Sequence, residues 1–325
     1  QIQYEALATL GSVLVAILVT GLALIFLHFG ERNSRRIVIA GVFTGLGILL
    51  MHYMGMSAIG GNCIVTFEPH PREVFAPGAA PFRLMNPETR ANRLAKLGVD
   101  LLYELPFGAR LSGLTDAGFS EQVLAEGLGV RHVTVGADFC YGKGRAGNAA
   151  TLRAQGAALG FGVQIAPMLG GPEGRVSSTA IRAALTEGRP QDAAGMLGHW
   201  HRIDGPVIHG AKRGRALGYP TANMSVAGLH LPRFGVYAVL VDVLDGPHRG
   251  SYHGAASLGL RPQSDGDGPN LESFLFDFDG NLYDHHLSVG LVAFLRPEAR
   301  FDWIAALVAQ MGRDCDQARA ILSAL

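Results

Sequence analysis

Cysteine is scarce: the 325 residues hold three, Cys63, Cys140 and Cys315, in no metal or redox spacing. That excludes a disulfide framework and fits a reduced enzyme body. An excess of either charge is also missing, since Lys and Arg number 27 against 27 Asp and Glu. Nothing therefore marks a nucleic-acid-binding surface. The first residue is Gln rather than Met, and the expectation is that the true N-terminus is missing or has been processed. The length leaves room for two or three domains with cores of their own.

What is present is organised around residues 205–223, GPVIHGAKRGRALGYPTAN. Gly210, Gly214 and Gly218 let backbone approach a polyphosphate, and Lys212, Arg213 and Arg215 offset its charge. Pro220 opens a Pro-Thr-Ala-Asn turn that adds a hydroxyl and an amide oxygen. Magnesium takes few protein oxygens beside water and phosphate, so Thr221 and Asn223, two positions apart in extended chain, are candidates to hold Mg·ATP. The spacing is not that of a P-loop, and the plain alternative is a solvated basic turn.

Residues 10–29 are uncharged and apolar until a closing His-Phe, a run long enough to span a bilayer, and a second run covers 37–60. The absence of a basic n-region argues against a signal peptide, so a membrane hairpin is expected. Met51, His52, Met54 and Met56 are soft or borderline ligands suited to Cu(I), with His52 and Met56 on one helix face. The alternative is interfacial His and Tyr with Met filling gaps. The phrase MHYMGMSAIG resembles the MHYT family of integral-membrane sensor domains, although Met54 replaces its threonine.

Beyond this, residues 63–186 alternate short apolar strands (64–67, 100–104, 130–136, 162–166) with helical stretches (87–97, 120–128, 148–159, 178–186), the pattern of a parallel sheet with helices on its faces. Ser177, Ser178 and Thr179 open the last helix, where hydroxyls cap and free N–H groups favour an anion, and Arg182 stands one turn on. A plain cap is the alternative. Asp138, Lys143 and Arg145 lie in a strand-end loop, where ligand contacts and merely solvated charges both occur.

Residues 187–325 read as strands at 206–209, 236–242, 252–258, 271–278 and 287–295, then one helix with Phe301, Ile304, Val308, Met311 and Cys315 on a stripe. That order predicts an antiparallel barrel with a packed C-terminal helix. Alternation sets Glu272 on the face of Phe274, Phe276 and Phe278. If that face is interior, a carboxylate stands at the barrel mouth among apolar neighbours, where burial raises a glutamate pKa and suits a general base.

GRALGYPTAN, GVYAV, SLGLRP and ESFLFDFDGNLYD closely resemble the riboflavin kinase module of the bacterial bifunctional riboflavin kinase/FMN adenylyltransferase family, from about Leu185 to the C-terminus. FEPHP, VGADFCYGKGRAGN and SSTAIRAAL resemble its FMN adenylyltransferase module. The resemblance implies that Glu272 is the base for the riboflavin 5′-hydroxyl and that the 177–182 segment contributes to ATP binding. It also implies that the flavin lies near 296–303, where an apolar wall is needed for the ring; Phe294, Leu295, Phe301 and Trp303 are candidates for it, or ordinary core, and Arg296 and Arg300 are the nearby cations. One departure matters: the His-x-Gly-His phrase that opens the family's adenylyltransferase is absent.

The expected organisation is a membrane helical hairpin (1–62), a truncated, inactive Rossmann-like α/β nucleotidyltransferase (63–186) and a riboflavin kinase-like antiparallel β-barrel with a C-terminal helix (187–325). The expected activity converts ATP and riboflavin to ADP and FMN with Mg²⁺. Alternatives are a fully bifunctional FAD synthetase and a membrane-anchored sensor with a flavin- or nucleotide-binding body. Arg32, Arg35 and Arg36 place the loop between the spans inside, which would leave the catalytic body outside, away from ATP. A cytoplasmic body therefore needs a further span or an inverted hairpin, unless the junction near 60–64 joins two unrelated genes, which is the expectation.

Overall fold

The computed structural model describes residues 3–4, 59–171, 174–209, 214, 217–260 and 268–325. Apart from residues 59 and 60, both apolar runs of the expected membrane hairpin lie outside them, and with these runs Met51, His52, Met54 and Met56. Among the described residues, no helix is long and apolar enough to cross a membrane. The chain divides into two compact units, Gln1–Thr66 with Leu94–Glu104 and Phe67–Arg93 with Leu105–Leu325.

In the first unit Gln3–Tyr4 pairs antiparallel with Ile59–Gly60. Strands β1 (Cys63–Glu68) and β2 (Leu101–Pro106), which belong to this unit up to Thr66 and Glu104, form a two-stranded sheet. Its entrance is fastened by Asn62, whose N–H donates to the Asp100 carboxylate at 2.8 Å.

The second unit holds helix α1 (Pro71–Phe75) and helix α2 (Pro87–Lys96) up to Arg93. His70 and Glu73 close a reciprocal cap on α1. Strands β3 (His132–Gly136) and β4 (Gly162–Ala166) run parallel, joined through α3 (Ala149–Leu159). Asn148 caps the start of α3, and Gly160, left-handed at φ 87°, ends it. The helix expected at 120–128 is present at Phe119–Gly127, wound as a π-helix. Phe119, Leu124, Tyr141, Leu152 and Phe161 form the core here. The strand–helix alternation stands, but the described strands make separate pairs instead of one wide sheet. On β3 only Val133 and Val135 are partly covered, so that strand has one apolar face where a central parallel strand has two.

Helices α4 (Ser178–Thr186) and α5 (Pro190–Leu197) lead into the barrel. Its strands are β5 (His201–Pro206), β6 (Ala222–Ser225), β7 (Gly235–Val243), β8 (Gly250–Leu260), β9 (Pro269–Leu275) and β10 (His286–Arg296). They pair antiparallel in the order β5-β10-β7-β8-β9-β6. A bridge from Ile208, just past β5, to Asn223 on β6 closes the ring. The inward positions of these strands, among them Ile203, Met224, Val239, Leu258, Leu271 and Val289, fill the interior and are sealed from solvent. Helix α6 (Ile304–Leu322) covers part of the outer wall, where Ala318 and Leu322 pack with Ala238, Ala255, Phe276 and Val292.

Three expectations need correction. The strand expected at 206–209 is β5, which runs His201–Pro206 against β10; past it, Val207 N–H still donates to the His285 carbonyl at 2.9 Å and Ile208 bridges to Asn223. The Pro-Thr-Ala-Asn phrase is not all turn, since Ala222 and Asn223 begin β6. Strand β9 stops at Leu275 rather than 278, where Asp277 turns left-handed at φ 54°.

The first turns of α2 are bonded to the barrel through Asp204. The Asp204 N–H donates to Thr89 Oγ1 at 3.1 Å, Asn92 Nδ2 donates to Asp204 Oδ2 at 2.8 Å, and Asn86 Nδ2 donates to the Asp204 carbonyl at 2.7 Å. Further along, Arg233 N–H donates to the Leu185 carbonyl at 2.9 Å.

His201, on β5, is 1% exposed, and its Nδ1 has no hydrogen-bond partner among the described residues. Burial, with His230 and His199 nearby, pushes its pKa down from 6.5 to about 4. Between those values the unfolded chain binds the proton and the folded chain does not, so stability present above pH 6.5 is lost as pH falls toward 4. The loss is roughly 3 kcal/mol at about 1.4 kcal/mol per pH unit. The His201→Phe variant is expected to lose less stability than the parent between pH 7 and 4, measured by urea unfolding.

Candidate functional site

Strand β9 lies between β6 and β8, in a register that sets Glu272 opposite Asn223 on one side and Ser257 on the other. Directly opposed residues share a face of the sheet. Ala222, Met224, Leu271 and Leu275 fill the barrel core, so Asn223 and Glu272 face outward. The face that carries Glu272 is thus the outer one, where Phe274 and Phe276 pack with α6, while Phe278, beyond the end of the strand, packs against the barrel core instead of sharing their face. Strand β9 turns Leu271 and Leu275 to the barrel core and Phe274 to the helix.

Asn223 is 4% exposed. Its Nδ2 donates to the Thr221 carbonyl at 3.3 Å, and its Oδ1 accepts from Asn270 Nδ2 at 3.0 Å. Ahead of it, the Gly214 carbonyl accepts from Leu217 N–H at 3.0 Å and from Tyr219 N–H at 2.8 Å. A Cβ at Gly214 would strike the Tyr219 carbonyl and lie 3.5 Å from Thr221 Oγ1, so this glycine sits over the Thr221 hydroxyl. Gly218, at φ 84°, takes the left-handed turn that follows. Tyr219 meets Phe274 edge-on at 5.2 Å. Gly210, Lys212, Arg213 and Arg215 lie outside the described residues.

Beside this corner is a cavity of about 460 Å³, lined by Val207, Pro220, Thr221, Ala222, Leu275, Phe278 and the turn 279–283. Its size and mixed lining suit a small-molecule ligand. That the 279–283 turn lines this cavity was not foreseen from the sequence. The Asp279-Gly280 signal marked a turn, but nothing local tells that it folds against Thr221. For magnesium the donor set fits: the Thr221 hydroxyl and the Asn223 carboxamide are hard oxygens, and Asn270 fixes Asn223 Oδ1 while leaving it a lone pair.

Of the flavin candidates, Arg296 is bound to Asp314 on α6, with Nε to Oδ1 at 2.9 Å and Nη2 to Oδ2 at 2.7 Å, and it lies 5.8 Å from the Phe301 ring centre. Phe294 packs between Tyr237 at 5.2 Å and Arg233 at 4.8 Å, and Leu295 joins the outer-wall cluster. Trp303, at the start of α6, is 66% exposed, and Arg300 is exposed as well.

The other candidate site lies at the N-terminus of α4. Ser177 Oγ accepts from Ala180 N–H at 3.2 Å as the cap, while Ser178 and Thr179 are exposed. Arg182 Nε donates to the Phe82 carbonyl at 2.7 Å, and its guanidinium lies 5.4 Å from the Phe82 ring centre. Arg72 lies 4.6 Å from that ring. Burial and the Arg72 charge push the Arg182 pKa down. Two cations about one ring at a helix N-terminus suit a phosphate. Arg72 was missed, although it directly follows the FEPHP phrase. Asp138 stands in the turn after β3.

A riboflavin kinase family model matches residues 197–322, and an FAD synthetase model matches 55–180. The chain is 42% identical over 261 residues to a bifunctional riboflavin kinase/FMN adenylyltransferase of Pseudomonas fluorescens, covering 80% of this chain and 82% of that one. To the protein of the same description from Bacillus subtilis it is 33% identical over 301 residues, covering 89% and 93%. A crystal structure described as a macrolide-efflux protein from Streptococcus pneumoniae is similar with a TM-score of 0.68 and 28% identity, covering 83% of this chain and 87% of that one.

Proposed function

The chain belongs to the bifunctional riboflavin kinase/FMN adenylyltransferase family, and from that premise we propose that it phosphorylates riboflavin to FMN at the outer wall of β6 and β9. The observation that carries this is the register of Glu272 against Asn223, beside the cavity lined by Thr221. Glu272 accepts the proton of the riboflavin 5′-hydroxyl as its oxygen forms a bond to the γ-phosphorus. The bond from that phosphorus to the β–γ bridging oxygen breaks, and ADP leaves. Thr221 and Asn223 would hold the magnesium, whose charge offsets that of the phosphates. Gly214 keeps the backbone close to the Thr221 hydroxyl. Catalysis of this kind is mainly alignment and charge neutralisation. The flavin ring is assigned to the exposed start of α6, near Phe301 and Trp303, with Arg300 beside it.

For residues 63–186 the proposal is nucleotide binding without adenylyl transfer. The sequence has no His-x-Gly-His phrase to stabilise the departing pyrophosphate. A second reading keeps both activities, supported by the bifunctional relatives and by the paired Arg72 and Arg182. Incubation with riboflavin, ATP and Mg²⁺, with FMN and FAD quantified separately, tests both. FMN without FAD is the expected result, FAD would establish the second reading, and no FMN would overturn the first.

A further inference from the structure

The turn that forms one wall of the cavity is bracketed by two non-glycine residues in left-handed backbone, Asp277 at φ 54° and Asp284 at φ 65°. Such a conformation is uncommon for any residue but glycine and is tolerated best by Asp and Asn. The residues between them, Phe278 to Tyr283, all line the cavity. At the far end, Asp284 N–H is tied to the Val207 carbonyl at 3.2 Å. At the near end the tie comes from α6: Arg319 Nη1 donates to Asp277 Oδ2 at 2.7 Å and Nη2 to Oδ1 at 2.9 Å. The same guanidinium lies 4.3 Å from the ring centre of Phe276, which is buried against α6.

We propose that the cavity beside Thr221 takes the nucleotide and that Arg319 is its positioning residue: the two-pronged grip on Asp277 holds the 278–283 turn in the shape that makes one wall of that cavity. An exposed ion pair contributes little to global stability. Its consequence here is local, because release of Asp277 to ordinary backbone angles would swing Phe278 and the following turn away from Thr221. The proposal rests on the kinase reading for the identity of the nucleotide.

The test uses the full chain and two readouts, steady-state FMN formation and equilibrium binding of Mg·ADP by calorimetry. Arg319→Ala is expected to raise KM for ATP and Kd for ADP by about five- to tenfold, with kcat and the riboflavin KM within about twofold of the parent. Arg319→Lys, which keeps the charge but not the planar fork, should fall between. Asp277→Asn tolerates the left-handed backbone and loses the ion pair, so it should resemble Arg319→Ala and carries the test if that variant does not fold. Unchanged nucleotide affinity in these variants, or equal weakening for both substrates, would overturn the proposal. A parent that binds ADP but makes no FMN would instead count against the kinase reading, leaving the binding comparison to decide the role of Arg319.

Discussion

Glu272→Gln is expected to lower kcat for FMN formation by about two to four orders of magnitude, the usual contribution of a positioned general base. The amide matches the carboxylate in shape but cannot accept the proton of the attacking hydroxyl. The β6–β9 register that sets position 272 opposite Asn223 is made by backbone, so the substitution leaves the surrounding framework in place. Affinities for riboflavin and Mg·ATP should therefore stay close to those of the parent. A thousandfold loss corresponds to about 4 kcal/mol of transition-state stabilisation. Glu272→Asp, one methylene shorter, should recover part of the rate. Single-turnover formation of FMN isolates the chemical step from product release, and an undiminished rate in Glu272→Gln would remove this residue from the mechanism.

The two longest apolar runs of the barrel were legible in the sequence: the reading of 236–242 became Gly235–Val243, and that of 287–295 became His286–Arg296. Alternation grouped Phe274 with Phe276 as the structure does, but wrongly added Phe278, which packs with the barrel core. It could not say which set faces the barrel, because α6 gives the outer face an apolar cover of its own. Strand β6 was hidden for a different reason. Its Ala-Asn-Met-Ser is short and closely follows a proline, so the phrase reads as a turn until β9 supplies a partner.

The candidate site divides in the same way. Thr221, Asn223 and Glu272 are proposed on the chemistry of their side chains, which the sequence alone displays. The opposition of Asn223 to Glu272 depends on strand register, and the wall at 278–283 depends on where a turn folds back. Arg72 meets Arg182 only through Phe82, across a long stretch of chain. Such placements are set by tertiary packing, which local periodicity does not encode.

Asn223→Ala is expected to reduce kcat/KM for Mg·ATP by about 10²- to 10³-fold, comparable with the loss of one preorganised electrostatic contact in an active site. Two effects combine. The carboxamide oxygen assigned to magnesium is removed, and Asn270 Nδ2 and the Thr221 carbonyl each lose a hydrogen-bond partner. The second effect costs about 1–3 kcal/mol of stability for each polar group left buried and unsatisfied, so unfolding measurements must accompany the kinetics. A variant that has lost only stability would regain the parent rate at lower temperature and keep the parent's magnesium dependence. A variant that has lost a metal-positioning group would need more magnesium to reach half-maximal rate, even where it is fully folded. Asn270→Leu separates the two, since it leaves the Asn223 oxygen in place but unheld. A shift in magnesium dependence smaller than that of Asn223→Ala is expected there, and an unshifted dependence in Asn223→Ala would show that the metal lies elsewhere.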